Sequence, residues 1–226
     1  MELSIDTSTK WTGLALSNQG NIIVEVNWYS EQNHSVELLP AIERIRIQFD
    51  VSLRDLTKII VARGPGSFSA LRVGIATAKG LSMALGIPTV GVNTLDIEAF
   101  PYRKIGIPVY AMIEAGRNQV AVAKYVSHKE AINSIEPWVA TIEDLIESLQ
   151  GKAIFCGEGS ILKKEAFTDK SNGMVLWVSA NNPTRRASIL AHLGNQISID
   201  SLKDTSQLEP IYVRGPSITK SKKWKS

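Results

Sequence analysis

The residues best suited to chemistry lie near the start of the chain, in the polar run Asp6-Thr7-Ser8-Thr9, which is followed by Gly13. The run falls between two short strand patterns, so it is predicted to form a tight turn. Such a turn binds phosphates through backbone N–H groups and hydroxyls, and an aspartate in it acts through a metal ion. The alternative is that these side chains only satisfy the hydrogen bonds of the turn. Whether a nucleotide binds here stays open.

The second candidate is the glycine-rich segment 63–74, which reads Arg-Gly-Pro-Gly-Ser-Phe-Ser-Ala-Leu-Arg-Val-Gly. It connects a buried-type strand to the start of a helix, and a helix N-terminus attracts anions. Its spacing matches neither the Gly-x-x-x-x-Gly-Lys-Ser/Thr loop nor the Gly-x-Gly-x-x-Gly motif. A structural role explains the segment equally well, because Ser67 is a good helix N-cap.

Histidine and cysteine residues offer little for catalysis. His34, His128 and His192 are scattered, and no pair of histidines has the spacing of metal ligands on a helix. The single cysteine, Cys156, cannot form an internal disulfide and fits a reducing compartment. No Ser/His/Asp arrangement is supported by the spacing. We therefore predict no catalytic residue and no metal ligand.

Composition and charge exclude other classes of protein. Hydrophobic residues make up 44% of the chain and charged residues 21%, as in ordinary globular proteins. The N-terminus has no basic, apolar leader, and no apolar run approaches about eighteen residues, so we expect a cytoplasmic protein without a membrane span. The net charge is +3, but residues 220–226 carry four lysines, which leaves −1 for the rest. This basic tail could contact nucleic acid phosphates or be only a solvated end.

These residues must be positioned by an α/β fold. The hydrophobic patterns of the first half predict strands at 3–5, 12–16 and 22–26, a helix at 35–49, a strand at 58–62, a helix at 68–85 and a strand at 88–92. The strand–helix–strand spacing implies parallel pairing with a right-handed crossover. A shorter order of hairpin, helix and strand follows in the second half. Gly106 and Pro108 mark the boundary, so we predict two lobes, at 1–103 and 104–226.

The helix predicted at 68–85 has two apolar faces, whereas a helix covering one side of a sheet needs one. Its two faces contain, respectively, Phe68, Leu71, Ile75 and Ala78, and Val73, Thr77, Leu81, Ala84 and Leu85. The helix is therefore either enclosed by its own chain or packed against a second protein, and both interpretations stay open. The helix at 35–49 is its natural neighbour. Together the pair could expose an apolar patch of the kind that marks an interface.

The segment 64–74 resembles the Gly-Pro-Gly-Ser-Phe-Thr-Gly-Leu-Arg-Ile-Gly signature of the TsaB (YeaZ) family, the bacterial accessory proteins for threonylcarbamoyladenosine formation in tRNA. Further matches follow in order: 6–9, His34-Ser35, Leu38-Leu39-Pro40, 91–95 and Pro210-Ile211-Tyr212-Val213-Arg214. The resemblance implies an actin-like (ASKHA, ribonuclease H-like) fold of two lobes, the second one shortened.

The resemblance has local departures. The turn at 6–9 is similar to the first phosphate hairpin of the actin, Hsp70 and sugar-kinase ATPases, but Ser8 stands where those proteins have glycine. A side chain there keeps phosphate oxygens from the main chain. Ser69-Ala70 replaces the usual Thr-Gly, and Glu114-Ala115-Gly116 stands where the family has Asp-Ala-Arg. The last change weakens any role assigned to that turn.

The resemblance implies a non-catalytic subunit that binds and activates the TsaD-type transferase, which forms N6-threonylcarbamoyladenosine at position 37 of ANN-decoding tRNAs. TsaD-type enzymes bind a metal through a His-x-x-x-His pair, of which this chain has only His34, because position 38 is leucine. A TsaE-type ATPase docks on the pair, so ATP belongs to partner subunits and tRNA is met through the complex. The predicted partner interface, on the helices that pack against TsaD in this family, consists of His34, Leu38, Ile42, Ile45, Phe68, Leu71, Arg72, Ile75 and Lys79.

Other interpretations compete with this one. An actin-like nucleotide-binding enzyme acting alone would need a second phosphate hairpin, for which Gly157-Glu158-Gly159 is the only candidate. A metallopeptidase-like protein would need a metal cluster that three dispersed histidines do not supply. A homodimer could instead be the working form. If the TsaD interpretation holds, a charge at Leu71 or Ile75 should abolish association with TsaD and leave the monomer folded.

Overall fold

The computed structural model describes residues 1–128, 131–162, 173–178, 183–198 and 208–213, so the predicted basic tail at 220–226 lies outside the described residues. The strands are β1 (Glu2–Asp6), β2 (Trp11–Asn18), β3 (Asn21–Tyr29), β4 (Lys58–Ala62), β5 (Thr89–Val92), β6 (Val109–Gly116), β7 (Gln119–His128), β8 (Ala131–Ser134), β9 (Trp138–Ala140), β10 (Ala153–Cys156) and β11 (Val175–Trp177). The α-helices are α1 (His34–Gln48), α2 (Phe68–Leu85), α3 (Thr94–Ala99), α4 (Ile142–Glu147), α5 (Glu158–Leu162) and α6 (Ala187–Asn195). Over the described ranges, no helix is both long enough and apolar enough to cross a membrane.

The strands form two mixed sheets with the same internal order. In the first sheet the order is β3-β2-β1-β4-β5, antiparallel from β3 to β1 and parallel from β1 to β5. In the second sheet the order is β11-β10-β6-β7-β8, again antiparallel among β6, β7 and β8 and parallel from β6 to β11, and β9 also pairs with β7. The second half repeats the first, with the 6-residue α4 where the first has the 15-residue α1.

The first sheet is covered on both faces, which explains why its central strands read as continuous apolar runs. Leu3, Ile5 and Val61 belong to the core beneath α1 and α2. Ile60 and Val90 belong to a separate core on the opposite face, beneath α6. Each fully buried aliphatic side chain of this kind contributes about 1.5–3 kcal/mol to folding. The sheet is therefore the fixed platform that positions both helices.

Helix α2 is fixed against the turn at 6–9. Gly74 lies at a close approach between them, since a Cβ at this position would stand 2.3 Å from Oγ1 of Thr7. The Thr7 hydroxyl donates a hydrogen bond to the carbonyl of Ala70 at 2.7 Å. The helix ends at Gly86, whose φ of 66° gives the left-handed conformation typical of a helix C-terminus. The first candidate turn and the glycine-rich segment are thus one packed unit.

The C-terminal part of the chain returns to the first lobe. Helix α6 packs on the face of the first sheet opposite α1 and α2, where Leu190 is fully buried. Segment 208–213 lies beside α2, and the N–H of Ile211 donates to the carbonyl of Arg63 at 2.6 Å. The lobe predicted at 104–226 is therefore not self-contained, because the second face of the first sheet is covered by residues from the end of the chain.

Candidate functional site: the outer face of two helices and the turn at Asp6

Most of the predicted partner interface lies inside the first lobe. Five apolar members are at most 5% exposed: Leu38, Ile42, Ile45, Leu71 and Ile75. All of them except Leu71 belong to the core between the helices and the sheet. His34 is also buried, with its Nε2 3.0 Å from the carbonyl oxygen of Thr9. These six residues cannot touch a partner while the lobe is folded, so their assignment to the interface is corrected. A charge at Leu71 or Ile75 would be buried without a counter-ion and would destabilise the monomer itself.

The accessible surface of the two helices is the side opposite these buried stripes, and we call it the outer face. It consists of Val36, Leu39 and Ile47 on α1 and of Ala76, Gly80 and Met83 on α2. Val36 is 68% exposed and Met83 is 78% exposed. Because α1 and α2 contact each other on the same side of the sheet, these side chains lie on one side of the lobe. The exposed carboxylate of Glu43 lies on the same face of α1 as Val36 and Ile47. Of the predicted interface, Phe68, Arg72 and Lys79 border this surface and reach solvent in part.

The carboxylate of Asp6 is buried and engaged on both oxygens. Its Oδ1 accepts hydrogen bonds from the N–H of Ser8, at 2.8 Å, and from the Ser8 hydroxyl. Its Oδ2 accepts from Nε of Arg185 at 2.9 Å. Arg185 is only 3% exposed, so this ion pair is shielded from water. Both carboxylate oxygens of Asp6, which in a nucleotide site would hold the metal ion bound to the phosphates, therefore already have partners within the chain.

Arg185 contacts two further carboxylates and a hydroxyl. Its Nη1 lies 2.8 Å from Oε1 of Glu98 and 2.9 Å from Oε1 of Glu158, and its Nη2 donates to Oγ1 of Thr9 at 2.6 Å. Thr9 in turn donates to Glu158 at 2.8 Å. One guanidinium thus joins the turn of the first lobe, helix α3 and the first turn of α5 in the second lobe. We call Asp6, Thr9, Glu98, Glu158 and Arg185 the arginine cluster.

In the arginine cluster, burial and the neighbouring charges shift the pKa values of the side chains in opposite directions. Burial alone would lower the pKa of Arg185, but the carboxylates of Asp6, Glu158 and Glu98 outweigh it and raise that pKa above its ordinary value. Burial raises the pKa of Glu98 to about 7, although Arg185 and a hydrogen bond from Thr184 act in the opposite direction. The guanidinium therefore stays charged at every physiological pH. Glu98 changes its charge near neutrality.

The candidate for a second phosphate hairpin, Gly157-Glu158-Gly159, is packed against strand β6. A Cβ on Gly157 would lie 2.3 Å from the carbonyl oxygen of Met112, and one on Gly159 would lie 3.0 Å from the backbone of Ile113. Backbone that is this close to another strand does not face a ligand. Of the two hairpins that an actin-like nucleotide site uses, one is filled by Arg185 and the other faces β6.

A cavity of about 730 Å³ lies between the lobes beside the arginine cluster. Thr9 and Glu158 form part of its wall, but Asp6 and Arg185 do not line it. The edge-to-face pair of Trp11 and Tyr29, with ring centroids 5.3 Å apart, also lines it. The cavity and the carboxylate of Asp6 therefore do not form one continuous nucleotide site.

The candidate metal-ligating and nucleophilic side chains lie apart from one another in the part of the chain that the structure describes. Within the described ranges, no group of three or more His, Cys, Asp or Glu side chains could hold a metal ion. His192 contacts the side-chain amide of Gln196 at 2.9 Å on the surface. Cys156 is buried, and burial raises the pKa of its thiol well above the ordinary value, so it is held in the unreactive protonated form.

Sequence reasoning missed Glu98 and Arg185, and it did not connect the other members of the arginine cluster, Asp6, Thr9 and Glu158. Arg185 and Asp6 are separated by 179 positions, and no local motif joins them. One signal was present in Arg185 and Arg186, which stand at the start of helix α6. Positive charge is unfavourable at a helix N-terminus, so an arginine pair there indicates that the charge is needed elsewhere.

The repeated sheets and the cleft between them define a two-lobed protein of the actin-like class, with the second lobe shortened as expected. A family model described as "TsaD: tRNA N6-adenosine threonylcarbamoyltransferase" matches residues 28–182. Two solved Pseudomonas aeruginosa structures share the fold. One is described as an uncharacterized protein with similarity to peptidase YEAZ, with a TM-score of 0.75, 23% identity and coverage of 94% of this chain and 99% of that chain. The other, YeaZ, has a TM-score of 0.73, 23% identity and coverage of 93% and 98%.

Curated relatives narrow the class to a family. The tRNA threonylcarbamoyladenosine biosynthesis protein TsaB of Bacillus subtilis is 32% identical over 218 residues, covering 94% of this chain and 93% of the relative. The protein of the same name from Escherichia coli is 29% identical, covering 94% of each. The tRNA N6-adenosine threonylcarbamoyltransferase of Solidesulfovibrio magneticus is 30% identical over 160 residues, or 42% of its length. The chain belongs to the TsaB family.

Proposed function

We propose that this chain is a non-catalytic cytoplasmic subunit in the formation of threonylcarbamoyladenosine in tRNA, and that it binds and activates a TsaD-type transferase through the outer face. The exposed outer face carries this proposal. Large apolar side chains such as Val36, Ile47 and Met83 gain free energy when they leave water, at about 25 cal/mol per Å² buried. Large exposed apolar side chains that lie together on two neighbouring helices are typical of a protein interface.

The similarity of the chain to both TsaB proteins and the transferases supports a paired arrangement. If the two subunits share the fold of the first lobe, each presents two neighbouring helices with the same geometry. The small residues Ala76 and Gly80 on the outer face let a partner helix approach closely. Four helices, two from each subunit, then bury the outer face at the interface.

The arginine cluster supports the non-catalytic part of the proposal. Asp6 is neutralised by a side chain of the same protein, so the turn at 6–9 does not need a metal-bound nucleotide to satisfy it. ATP then belongs to partner subunits, including a TsaE-type ATPase that docks on the pair, and tRNA is met through the complex. The purified chain supplied with ATP and Mg²⁺ should release no more phosphate than a protein-free blank, and steady turnover would overturn this part.

A homodimer is the second candidate arrangement, because the same outer face could pack against its own copy. A two-fold interface uses the same patch on both subunits, which suits two adjacent helices. Mixing the chain with the transferase separates the candidates. A homodimer that persists in the presence of excess transferase would favour self-association, whereas exchange into a heterodimer supports the proposed function.

The double variant Val36→Glu, Met83→Glu tests the interface. Both side chains are exposed, so the variant should unfold at nearly the wild-type temperature and should no longer co-elute with the transferase in size-exclusion chromatography. The matched control is Ile105→Glu, Ile135→Glu, which changes two side chains that are 57% and 53% exposed in the second half of the chain. Co-elution of the outer-face variant, or loss of co-elution by the control, would contradict the assignment.

A further inference from the structure

A guanidinium is fixed at the edge of the outer face, in the first turns of α2. Arg72 is exposed, and its guanidinium carbon lies 3.9 Å from the ring centroid of Phe68. Its Nε donates a hydrogen bond to the hydroxyl of Tyr212 at 3.4 Å, and the two rings lie 5.0 Å apart. Within the residues that the structure describes, Nη1 and Nη2 of Arg72 have no partner. The guanidinium is therefore held on one flat side and at one nitrogen, while two parallel donors stay free.

The chain fixes Tyr212 in its turn. Ile211 donates its N–H to the carbonyl of Arg63 at 2.6 Å, and Leu208 packs against the core of the first lobe. The segment that carries Tyr212 is thus attached to the main chain at the end of β4 and to the core. Two distant parts of the sequence therefore orient the side chain of Arg72, and both are anchored to the first lobe.

Arg72 lines a groove of about 550 Å³ between α2 and the segment 208–212. Ala76, a member of the outer face, lines the same groove, so the groove and the outer face are continuous. Lys79 and Glu209 also line it, and they contribute one charge of each sign. Glu209 forms no ion pair with Arg72 among the described residues. The groove therefore offers a guanidinium for which the described part of the chain supplies no carboxylate.

A carboxylate is the group that this guanidinium suits best. Nη1 and Nη2 present parallel N–H donors, which match the two oxygens of a carboxylate in a bidentate pair. Such charge-assisted hydrogen bonds are about twice as strong as those between neutral groups. Phe68 and Tyr212 already orient the planar fork of Arg72, so less side-chain freedom is lost for each hydrogen bond formed.

The surroundings of Arg72 favour a carboxylate on a protein over the phosphates of a nucleic acid. A nucleic acid carries a phosphate at every nucleotide and is held by several cations at once. Arg72 and Lys79 are the cations that line the groove in the described part of the chain, and the carboxylate of Glu209 lies with them. The adjoining outer face is mainly apolar, which is typical of a surface that binds a protein.

We propose that Nη1 and Nη2 of Arg72 bind an aspartate or glutamate side chain on the helices of the transferase that match α1 and α2, an inference that rests on the proposed function of the chain. The burial of apolar side chains is not directional, so the outer face alone would let its partner slide or turn. An ion pair at the edge fixes the register of two partners and disfavours wrong ones. The outer face thus supplies affinity, and Arg72 supplies orientation.

Substitution of Arg72 tests the proposal directly. In calorimetric titration of the full-length chain with the transferase, Arg72→Gln should weaken binding by roughly 10- to 150-fold, the effect of losing hydrogen bonds to a charged group. Arg72→Lys keeps the charge without the two parallel donors, so it should also bind more weakly than the wild type. The control is Arg54→Gln, which removes an exposed guanidinium elsewhere in the first lobe. Wild-type affinity in either Arg72 variant, or an equal loss in the control, would overturn the proposal.

A double-mutant cycle identifies the carboxylate on the transferase. The helices that match α1 and α2 can be found by alignment, because the transferase family model matches residues 28–182 of this chain. Each aspartate and glutamate on those helices is replaced by asparagine or glutamine, alone and together with Arg72→Gln. One of these variants should lose affinity alone and lose much less when Arg72 is already replaced, because the two side chains share one interaction. Additive losses for every carboxylate would show that Arg72 pairs with none of them and would refute the proposal.

Binding of RNA and binding by the wild type separate this proposal from its alternatives. The saturated complex should bind a fluorescein-labelled anticodon stem-loop of an ANN-decoding tRNA equally well with Arg72→Gln and with the wild-type chain, as measured by anisotropy. Weaker RNA binding by a variant that joins the transferase with wild-type affinity would mean that Arg72 binds phosphate, and the proposal would be wrong. If the wild-type chain itself does not bind the transferase, the proposed function fails and this inference fails with it. If the wild type binds and the Arg72 variants bind equally well, this inference alone is refuted.

Discussion

The turn at Asp6 and the outer face of α1 and α2 lie in the same lobe. The carboxylate in the turn has partners within the chain, whereas the apolar side chains of the outer face are exposed to solvent. Asp6 has internal partners on both carboxylate oxygens, and its guanidinium partner Arg185 is buried with it. Val36 and Met83 are mostly exposed to solvent. The turn that resembles a catalytic one therefore has its polar partners within the chain, whereas the outer face leaves large apolar side chains in water, which is why we propose it as the interface. In this lobe, the position of unsatisfied groups indicates function better than the position of reactive ones.

The largest predicted effect is that of replacing Arg185, the buried cation that pairs with Asp6, on the free energy of unfolding. Arg185→Met leaves the buried carboxyl groups of Asp6 and Glu98 and the partly exposed Glu158 without their cation, so we expect a loss of about 3–5 kcal/mol in the free energy of unfolding, measured by urea denaturation. The neighbouring Arg186→Met is the control, because Arg186 pairs with Glu25 at a side-chain exposure of 55% and should contribute less than about 1 kcal/mol. A loss below about 1 kcal/mol in Arg185→Met would mean that the cluster does not stabilise the fold.

The two sides of α2 can be compared by alanine substitution. Leu71→Ala removes a side chain from the core and should cost about 2–5 kcal/mol of unfolding free energy. Met83→Ala should change that free energy by less than about 0.5 kcal/mol, because its side chain is 78% exposed. Affinity for the transferase, measured by calorimetry on the folded fraction, should show the reverse order. A stable Leu71→Ala variant with lost affinity would restore the original interface assignment.

Glu98 should make stability depend on pH. Its pKa of about 7 in the folded protein lies above the ordinary 4.5, so the folded chain holds more protons than the unfolded chain between those values. The contribution of Glu98 to the free energy of unfolding is therefore fully present below about pH 4.5 and is lost as the pH rises through 7. The wild type should lose of the order of 1–3 kcal/mol relative to Glu98→Gln between pH 4.5 and 7.5, measured by urea denaturation. A constant difference between the two proteins across this range would contradict the assignment.

The sequence predicts the elements of the first lobe well because their periodicity is strong. Helix α2 has the predicted bounds of 68–85, and α1 begins and ends one residue before the predicted 35–49. In the second half, where the sequence analysis gives only a hairpin, a helix and a strand, the structure has the further short strands β8 and β9, with Pro137 between them. Proline lacks the N–H that a ladder needs, and this local signal was present in the sequence.

Which stripe of a helix faces the sheet was not predictable from periodicity alone. The stripe containing Leu38, Ile42 and Ile45 is denser than the one containing Val36 and Ile47, and density correctly indicates burial rather than an interface. The interface prediction failed because it assigned the denser stripe to a partner. The arginine cluster was beyond prediction for another reason, since Arg185 meets Asp6 only through the returning C-terminal part of the chain.

The guanidinium of Arg185 is attached to the chain, whereas a metal ion or a nucleotide comes from solution. It cannot be diluted, removed by a chelator or hydrolysed, and its connection to both lobes does not vary with the supply of Mg²⁺ or ATP in the cell. The contact that Arg185 makes between Asp6 of the first lobe and Glu158 of the second is consequently formed within the chain itself. If the chain acts as the proposed subunit, this internal tether would not change while partner subunits bind and release ATP.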